Sequence, residues 1–292
     1  KNITLYAVQK KAVQLTFHRC DGSTWQKTTL AKGSSYSLPG VRDAEGYTFM
    51  GWSTKPMQSV SPQYEAEEKI TVNGNVDLYA VVFNRTTETD LTEDQLPQVD
   101  IYKYKQVIFV GDSRTEFMEN VLTGMGESAT KNVKFVCSAG KGLDWFTTTG
   151  WAQLYSIVQH DSNSILSKKT AVIFNFGVND LSKSADYAEY YNWIAPQLKS
   201  KGCELYFMSV NPVNRLMLPN AGRADRSEAA VRSFNQYMKA NLPSAYTYID
   251  MYSYLKSTGY SFASDHYGTG TVDDGLHYTT RTYKRIFAKC MD

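Results

Sequence analysis

The chain lacks a charge excess. Its 292 residues include 31 basic and 29 acidic ones, interspersed rather than clustered, for a formal net charge of +2. That excludes the basic footprint with which proteins hold nucleic acid or an anionic membrane, and leaves small neutral or mildly charged substrates open. Also missing is any apolar run near the ~20 residues of a membrane span. The opening stretch, KNITLYAVQKK, carries no signal-peptide core, so any targeting segment is expected upstream of this sequence. The four cysteines, Cys20, Cys137, Cys203 and Cys290, show no CxxC spacing, which argues against a zinc site or a dithiol redox motif. Cys290 shares a helical stripe with Tyr283, Ile286 and Phe287 and is expected in the core. A bridge such as Cys203 to Cys290 needs a geometry that sequence does not establish, and none is expected.

What is present is a 42% hydrophobic content, enough for a real core in two domains or one large domain with an appendage. An internal echo sets the first boundary: NITLYAVQ from Asn2 matches NVDLYAVVF from Asn75. Residues 1–10 therefore read as the tail of a preceding repeat, and residues 11–83 as a complete unit. Alternating stretches such as AVQLTFHR, with turns at Gly33, Pro39-Gly40, Gly46 and Asn73-Gly74, make that unit a small all-β module. Its LTF, GYTFMGWST (residues 46–54) and LYAVV (residues 78–82) resemble the Listeria–Bacteroides repeat, the B-repeat of internalins. The resemblance implies a β-grasp-like module of a bacterial surface protein, acting as a spacer or a cell-wall contact. Trp52 and Tyr47 are expected in the core of so small a domain rather than on a ligand. Residues 84–100, NRTTETDLTEDQLPQVD, have the polar, acidic composition of a linker with a hinge.

From residue 101 onward short apolar runs alternate with helix-period segments, the grammar of βα units around a parallel sheet. Strands are expected at residues 107–110, 133–137, 171–176, 205–210 and 246–249. Helices are expected at 185–199, where Tyr187, Tyr190, Tyr191, Ile194 and Leu198 form one stripe, and at 228–242, striped by Val231, Phe234 and Met238. Ligands of doubly wound folds bind beyond the carboxyl ends of the strands, so the loops after each strand are where chemistry belongs.

Those loops hold the parts of a serine acyl-transfer site. Ser113, in GDSR, supplies a hydroxyl; His277, in DDGLHYT, supplies a base; Asp274, three residues earlier, can orient the imidazole and stabilise its charged form. The backbone N–H groups of Ser113 and Gly142 and the amide of Asn179, in GVND, can converge on an oxyanion. Each residue has a plainer reading: Asp112 and Ser113 could cap a helix, Asn179 and Asp180 close a turn, and His277 sit satisfied beside the last helix. Together and in this order the blocks resemble the SGNH, or GDSL, hydrolases over residues 105–292. The resemblance implies a flavodoxin-like three-layer α/β/α domain, a serine esterase that needs no cofactor, and Ser113, His277 and Asp274 as its catalytic residues. Two departures stand out: Arg114 replaces the common Leu, and CSAGKGLDWF is loose enough for Gly140 to rival Gly142. No GxSxG elbow is present, which argues against the α/β-hydrolase class.

The rival base is His266, but no acid stands three residues before it. A metal cluster of Asp265, His266, Asp273, Asp274 and His277 matches no standard ligand spacing, and no metal is expected. Arg114, Trp145 and Tyr278, with Phe146 and Trp151, are expected at the substrate rim. The chain is thus expected to be a secreted or surface-anchored bacterial esterase acting on short-chain, O-acetyl-type esters of carbohydrate or cell-wall glycan. An acyltransferase using the same triad, or a non-catalytic adhesin, is the alternative.

Overall fold

Apolar residues at alternate positions make the regular elements of residues 11–84 strands, joined by loops. A computed structural model describes residues 11–160, 168–267 and 270–292, so the expected repeat tail lies outside the described residues. The module contains β1 (Ala12–His18), β2 (Thr24–Ala31), β3 (Ser34–Ser37), β4 (Tyr47–Ser53), β5 (Lys69–Val72) and β6 (Val76–Asn84). Four strands form a sheet ordered β2-β1-β6-β4, with β1 and β6 parallel and the outer pairs antiparallel, while β3 and β5 form a separate ladder. Val13, Leu15 and Phe17 alternate inward from β1 to meet Trp52 and Leu78. Trp52 is enclosed, and its indole N–H donates to Pro39 O at 2.8 Å. Tyr47, expected in the same core, is 43% exposed, because it opens β4 before the strand enters the interior.

Strands and helices then alternate: β7 (Tyr104–Gly111), α1 (Ser113–Thr123), β8 (Val133–Cys137), α2 (Leu143–Trp145), α3 (Trp151–His160), β9 (Lys169–Asn175) and α4 (Ser184–Lys199). They continue with β10 (Cys203–Met208), α5 (Glu228–Asn241), β11 (Tyr246–Ile249), α6 (Met251–Thr258), the hairpin β12 (Phe262–Tyr267) and β13 (Gly270–Tyr278), and α7 (Thr280–Met291). Strands β7 to β11 make one parallel sheet ordered β8-β7-β9-β10-β11, the flavodoxin-like order. Side-chain parity makes it a three-layer domain. Val107 and Phe109 of β7 face a core completed by Met118, Leu255 and Phe287 from α1, α6 and α7. Ile108 and Val110 face the opposite core, with Leu154, Tyr191 and Phe234 from α3, α4 and α5. At roughly 1.5–3 kcal/mol for each large side chain removed from water, these two layers supply the main driving force for the domain.

The joining segment is not the free hinge its composition suggests. Glu88, Leu96 and Val99 are buried. The Glu88 carboxylate accepts from the Ser261 hydroxyl at 2.6 Å, from Arg285 Nη1 at 3.1 Å and from the Thr282 hydroxyl, a set of donors that offsets the cost of burying it. The repeat is also packed in: Met50, Val81 and Phe83 belong to the same apolar cluster as α1, α6 and α7. Lys256 on α6 reaches Met50 O at 2.9 Å, Glu65 at 2.8 Å and Glu228 at 3.0 Å, tying the two modules through a buried ammonium. None of the four cysteines forms a disulfide, and Cys290 packs against the α7-side core.

Candidate active site

The strand order reverses at β7, which lies between β8 and β9, so the helices that follow β7 and β9 leave on opposite faces and a crevice opens at the strand ends. Ser113 follows β7 directly as the first residue of α1. The capping task belongs to its neighbour: Asp112 Oδ1 accepts from the Arg114 N–H at 3.0 Å. That leaves the Ser113 hydroxyl for another partner, and it faces His277 Nε2 at 2.9 Å. His277 Nδ1 in turn lies 2.5 Å from Asp274 Oδ2. A carboxylate at Nδ1 can only accept, so the imidazole proton belongs there and Nε2 is left as the acceptor for the serine hydroxyl. All three residues are at most 5% exposed.

Asp274 is held from its other oxygen as well, by the Leu276 and His277 backbone N–H groups at 2.8 and 2.7 Å. Burial works against its charge. The hydrogen bond and charge of His277 together with those two N–H groups outweigh it and hold the carboxyl below its usual range. Phe117, one helical turn beyond Ser113, stacks on the imidazole at 4.4 Å and remains partly exposed. Sequence reading passed over Phe117, although the i to i+4 spacing from Ser113 places both side chains on one helix face.

The GVND segment that follows β9 organises the loop after β8. Asp180 accepts from the Leu143 N–H and from the Tyr187 hydroxyl, both at 2.8 Å. A Cβ on Gly142 would come within 2.3 Å of that carboxylate, so only glycine fits there. Gly140, the rival, has φ +70° and open space around it, as a turn residue does. The Asn179 amide donates to Lys141 O at 2.8 Å, using one of its two hydrogens. Its oxygen accepts from Arg226 Nη2 at 2.8 Å, while Arg226 Nε donates to Val178 O at 2.7 Å. With the oxygen so engaged, the amide cannot flip, and the second N–H is left to point elsewhere. No motif marks Arg226, which lies 47 residues from Asn179. A cleft of about 620 Å³ opens here, lined by Asn179, Leu181, Ser182, Arg226, Ser227 and Ser233 among others.

The expected rim is largely interior. Arg114 is buried and donates to the carbonyls of Leu276, Asn211 and Pro212 at 3.1, 2.9 and 2.9 Å, so it ties α1 to the loop after β10 and to the strand bearing His277. Tyr278 is buried too, its hydroxyl donating to Pro212 O at 2.5 Å. Both are corrected from rim to scaffold, because a fork of donors or a phenol enclosed here must find carbonyl acceptors. Trp145 is half-buried against Phe176, and Phe146 is entirely core. The side chains of Asp265 and His266 lie outside the described residues. Of the remaining members of the imagined metal cluster, Asp273 pairs with Arg85, and Asp274 with His277.

Comparison with known proteins matches residues 14–81 to the Listeria-Bacteroides repeat domain and residues 107–290 to the GDSL-like lipase/acylhydrolase family. No curated protein matches this chain. Among solved structures, a putative acylhydrolase from Bacteroides fragilis is 16% identical, covers 68% of this chain and 94% of its own, and has a TM-score of 0.42. An acetyl xylan esterase is 11% identical, covering 63% and 97% with a TM-score of 0.41. The catalytic domain of a peptidoglycan O-acetyltransferase from Streptococcus pneumoniae is 16% identical, covering 64% and 89% with a TM-score of 0.36. With its family model spanning most of the chain, this protein belongs to the GDSL-like lipase/acylhydrolases and is an ester hydrolase of that type, preceded by a Listeria-Bacteroides repeat.

Proposed function

We propose that the protein removes short acyl groups, of the O-acetyl type, from a hydroxylated carbohydrate or cell-wall glycan at a bacterial surface. Ser113 acts as nucleophile, His277 as general base and acid, and Asp274 as its orienting carboxylate. The observation that carries the chemistry is the unbroken contact from Ser113 Oγ to His277 Nε2 and from Nδ1 to Asp274, at 2.9 and 2.5 Å. His277 takes the hydroxyl proton as Oγ bonds to the ester carbonyl carbon. The charge on the carbonyl oxygen is met by the Ser113 and Gly142 N–H groups and by the second N–H of Asn179. His277 then returns the proton to the departing alcohol, and a water activated by the same imidazole releases the acid. No cofactor is required by any step.

The polar side chains lining the cleft beside Asn179, among them Ser182, Ser227 and Ser233, support a hydroxylated substrate. The surface location, and any contact of the repeat with the wall, rest on the kind of repeat that precedes the hydrolase. Hydrolysis of p-nitrophenyl acetate by the wild type, abolished in Ser113→Ala and in His277→Ala, is the expected result. Equal rates for wild type and Ser113→Ala would end the serine mechanism. Release of acetate from O-acetylated polysaccharide, in preference to cleavage of longer-chain esters, tests the substrate class. Transfer of the acetyl group to an added sugar hydroxyl, instead of to water, would make the enzyme an acyltransferase.

A further inference from the structure

The loop that bears Asp274 is held from the repeat module. Arg85, the residue after β6, places Nη2 at 2.7 Å from Asp43 of the repeat and at 2.6 Å from Asp273, the neighbour of Asp274. Its Nε donates to the Thr48 hydroxyl at 2.9 Å. The Asp43 side chain is fully enclosed, and its other oxygen accepts from the Phe49 N–H at 3.0 Å and from Asn214 Nδ2 at 2.8 Å. Asn214 leads to the other side of the triad acid: its backbone N–H donates to Gly275 O at 2.9 Å. Gly275 has φ +67°, and a Cβ there would meet Asn214 O at 2.6 Å, so the backbones of the two loops are in close contact. The residues on either side of Asp274 are therefore each fixed to a group that Asp43 organises.

We propose that the repeat is a buttress of the active site, in which Asp43, through Arg85 and Asn214, positions Asp274 and thereby the His277 imidazole. Docking of the modules does not by itself need these contacts. The Glu88 cluster and the Lys256 cluster already join the modules, and neither touches residues 273–275. The Asp43 links are directed at the acid loop instead. Reacting groups displaced by about 1 Å can lose about 10²-fold in rate, so a loop held at two points is worth its cost in buried charge. Asp43, Arg85 and Asn214 are positioning residues; none touches Ser113 or His277.

The proposal rests on the esterase reading of Ser113, His277 and Asp274, and its test separates the two. Asp43→Asn keeps the volume but has one acceptor oxygen where the carboxylate has two, so it cannot serve both Arg85 and Asn214. The expected result is a loss of about tenfold or more in kcat with KM within about twofold, since a misaligned base weakens the transition state and not ground-state binding. The downfield proton resonance of His277 Nδ1–H should broaden or move in the same variant. Asp90→Asn, which removes the Lys284 ion pair of the same joining segment, should change neither. If Asp43→Asn gives little folded protein, Asp273→Asn reads the link from the loop side, and its kcat and resonance should respond in the same way. An Asp43→Asn enzyme with kcat within about twofold of wild type and an unmoved resonance would overturn the buttress, even with a lowered Tm. Should wild type and Ser113→Ala prove equally inactive, the esterase reading falls and the resonance alone decides the buttress.

Discussion

Asn179, the proposed oxyanion donor, is a residue whose orientation its neighbours fix, because its amide oxygen accepts from Arg226 and one of its two N–H groups donates to Lys141 O. Asn179→Ala should lower kcat by about 10²–10³-fold with little change in KM, the usual loss for one oxyanion donor. Arg226→Met leaves the amide oxygen without its main partner and free to rotate, and should cost about tenfold in kcat, or about 1.4 kcal/mol. Because Arg226 acts through Asn179, the double variant should be no slower than Asn179→Ala alone. Additive losses would show that Arg226 serves the substrate directly. The meeting of Ser113, His277 and Asp274 was legible from residue types and order, since acyl transfer dictates which groups must occur, and the same logic nominates Gly142 and Asn179 as oxyanion donors. Arg226 and Arg114 were not. Their targets are a side chain and carbonyls 47 to 162 positions away, and no local pattern in the sequence records where a long cationic side chain turns.

Helix α1 starts at Ser113, the proposed nucleophile, so its cap is a second point at which stability and site meet. Burial pushes the Asp112 carboxyl up to about 6, against the pull of the Arg114 N–H and of the charges on Arg114 and His277. A carboxyl whose folded value lies above its unfolded one favours folding in its protonated form. That contribution is complete below about pH 4 and is lost as pH rises through about 6. Asp112→Asn removes this dependence. The stability of wild type relative to the variant, from urea unfolding, should therefore fall by about 2–3 kcal/mol between pH 4 and pH 7. A difference that stays flat would mean Asp112 is solvated more than its enclosure implies. The elements themselves were readable because side-chain period switches from two to 3.6 at each βα junction. Residues 84–100 misled because acidic composition looks the same whether the carboxylates face water or, like Glu88, face Ser261, Thr282 and Arg285.

At the scale of the whole molecule the repeat and the hydrolase are one packed body, and Lys256 is where this is most easily tested. Its ammonium is buried between Met50 O and Glu65 of the repeat and Glu228 of α5. The two carboxylates hold Lys256 well above its ordinary pKa in spite of burial, which opposes the charge. Burial, joined by the charge of Glu228, raises Glu65 in spite of Lys256, whereas Lys256, the Tyr252 hydroxyl and the Val213 N–H outweigh burial and bring Glu228 below its usual value. Lys256→Met fills the space but strands two carboxylates without their cation, and should destabilise the protein by about 3–5 kcal/mol. If the modules share one core, wild-type tryptophan emission, which reports on Trp25 and Trp52 of the repeat as well as on the α/β domain, should change at the same urea concentration at which esterase activity is lost. In Lys256→Met the two curves should separate, with the emission change beginning at lower urea as the repeat comes away. Wild-type curves that are already separate would mean that the repeat is only tethered to the enzyme, since one cooperative unit cannot lose its parts at different denaturant concentrations.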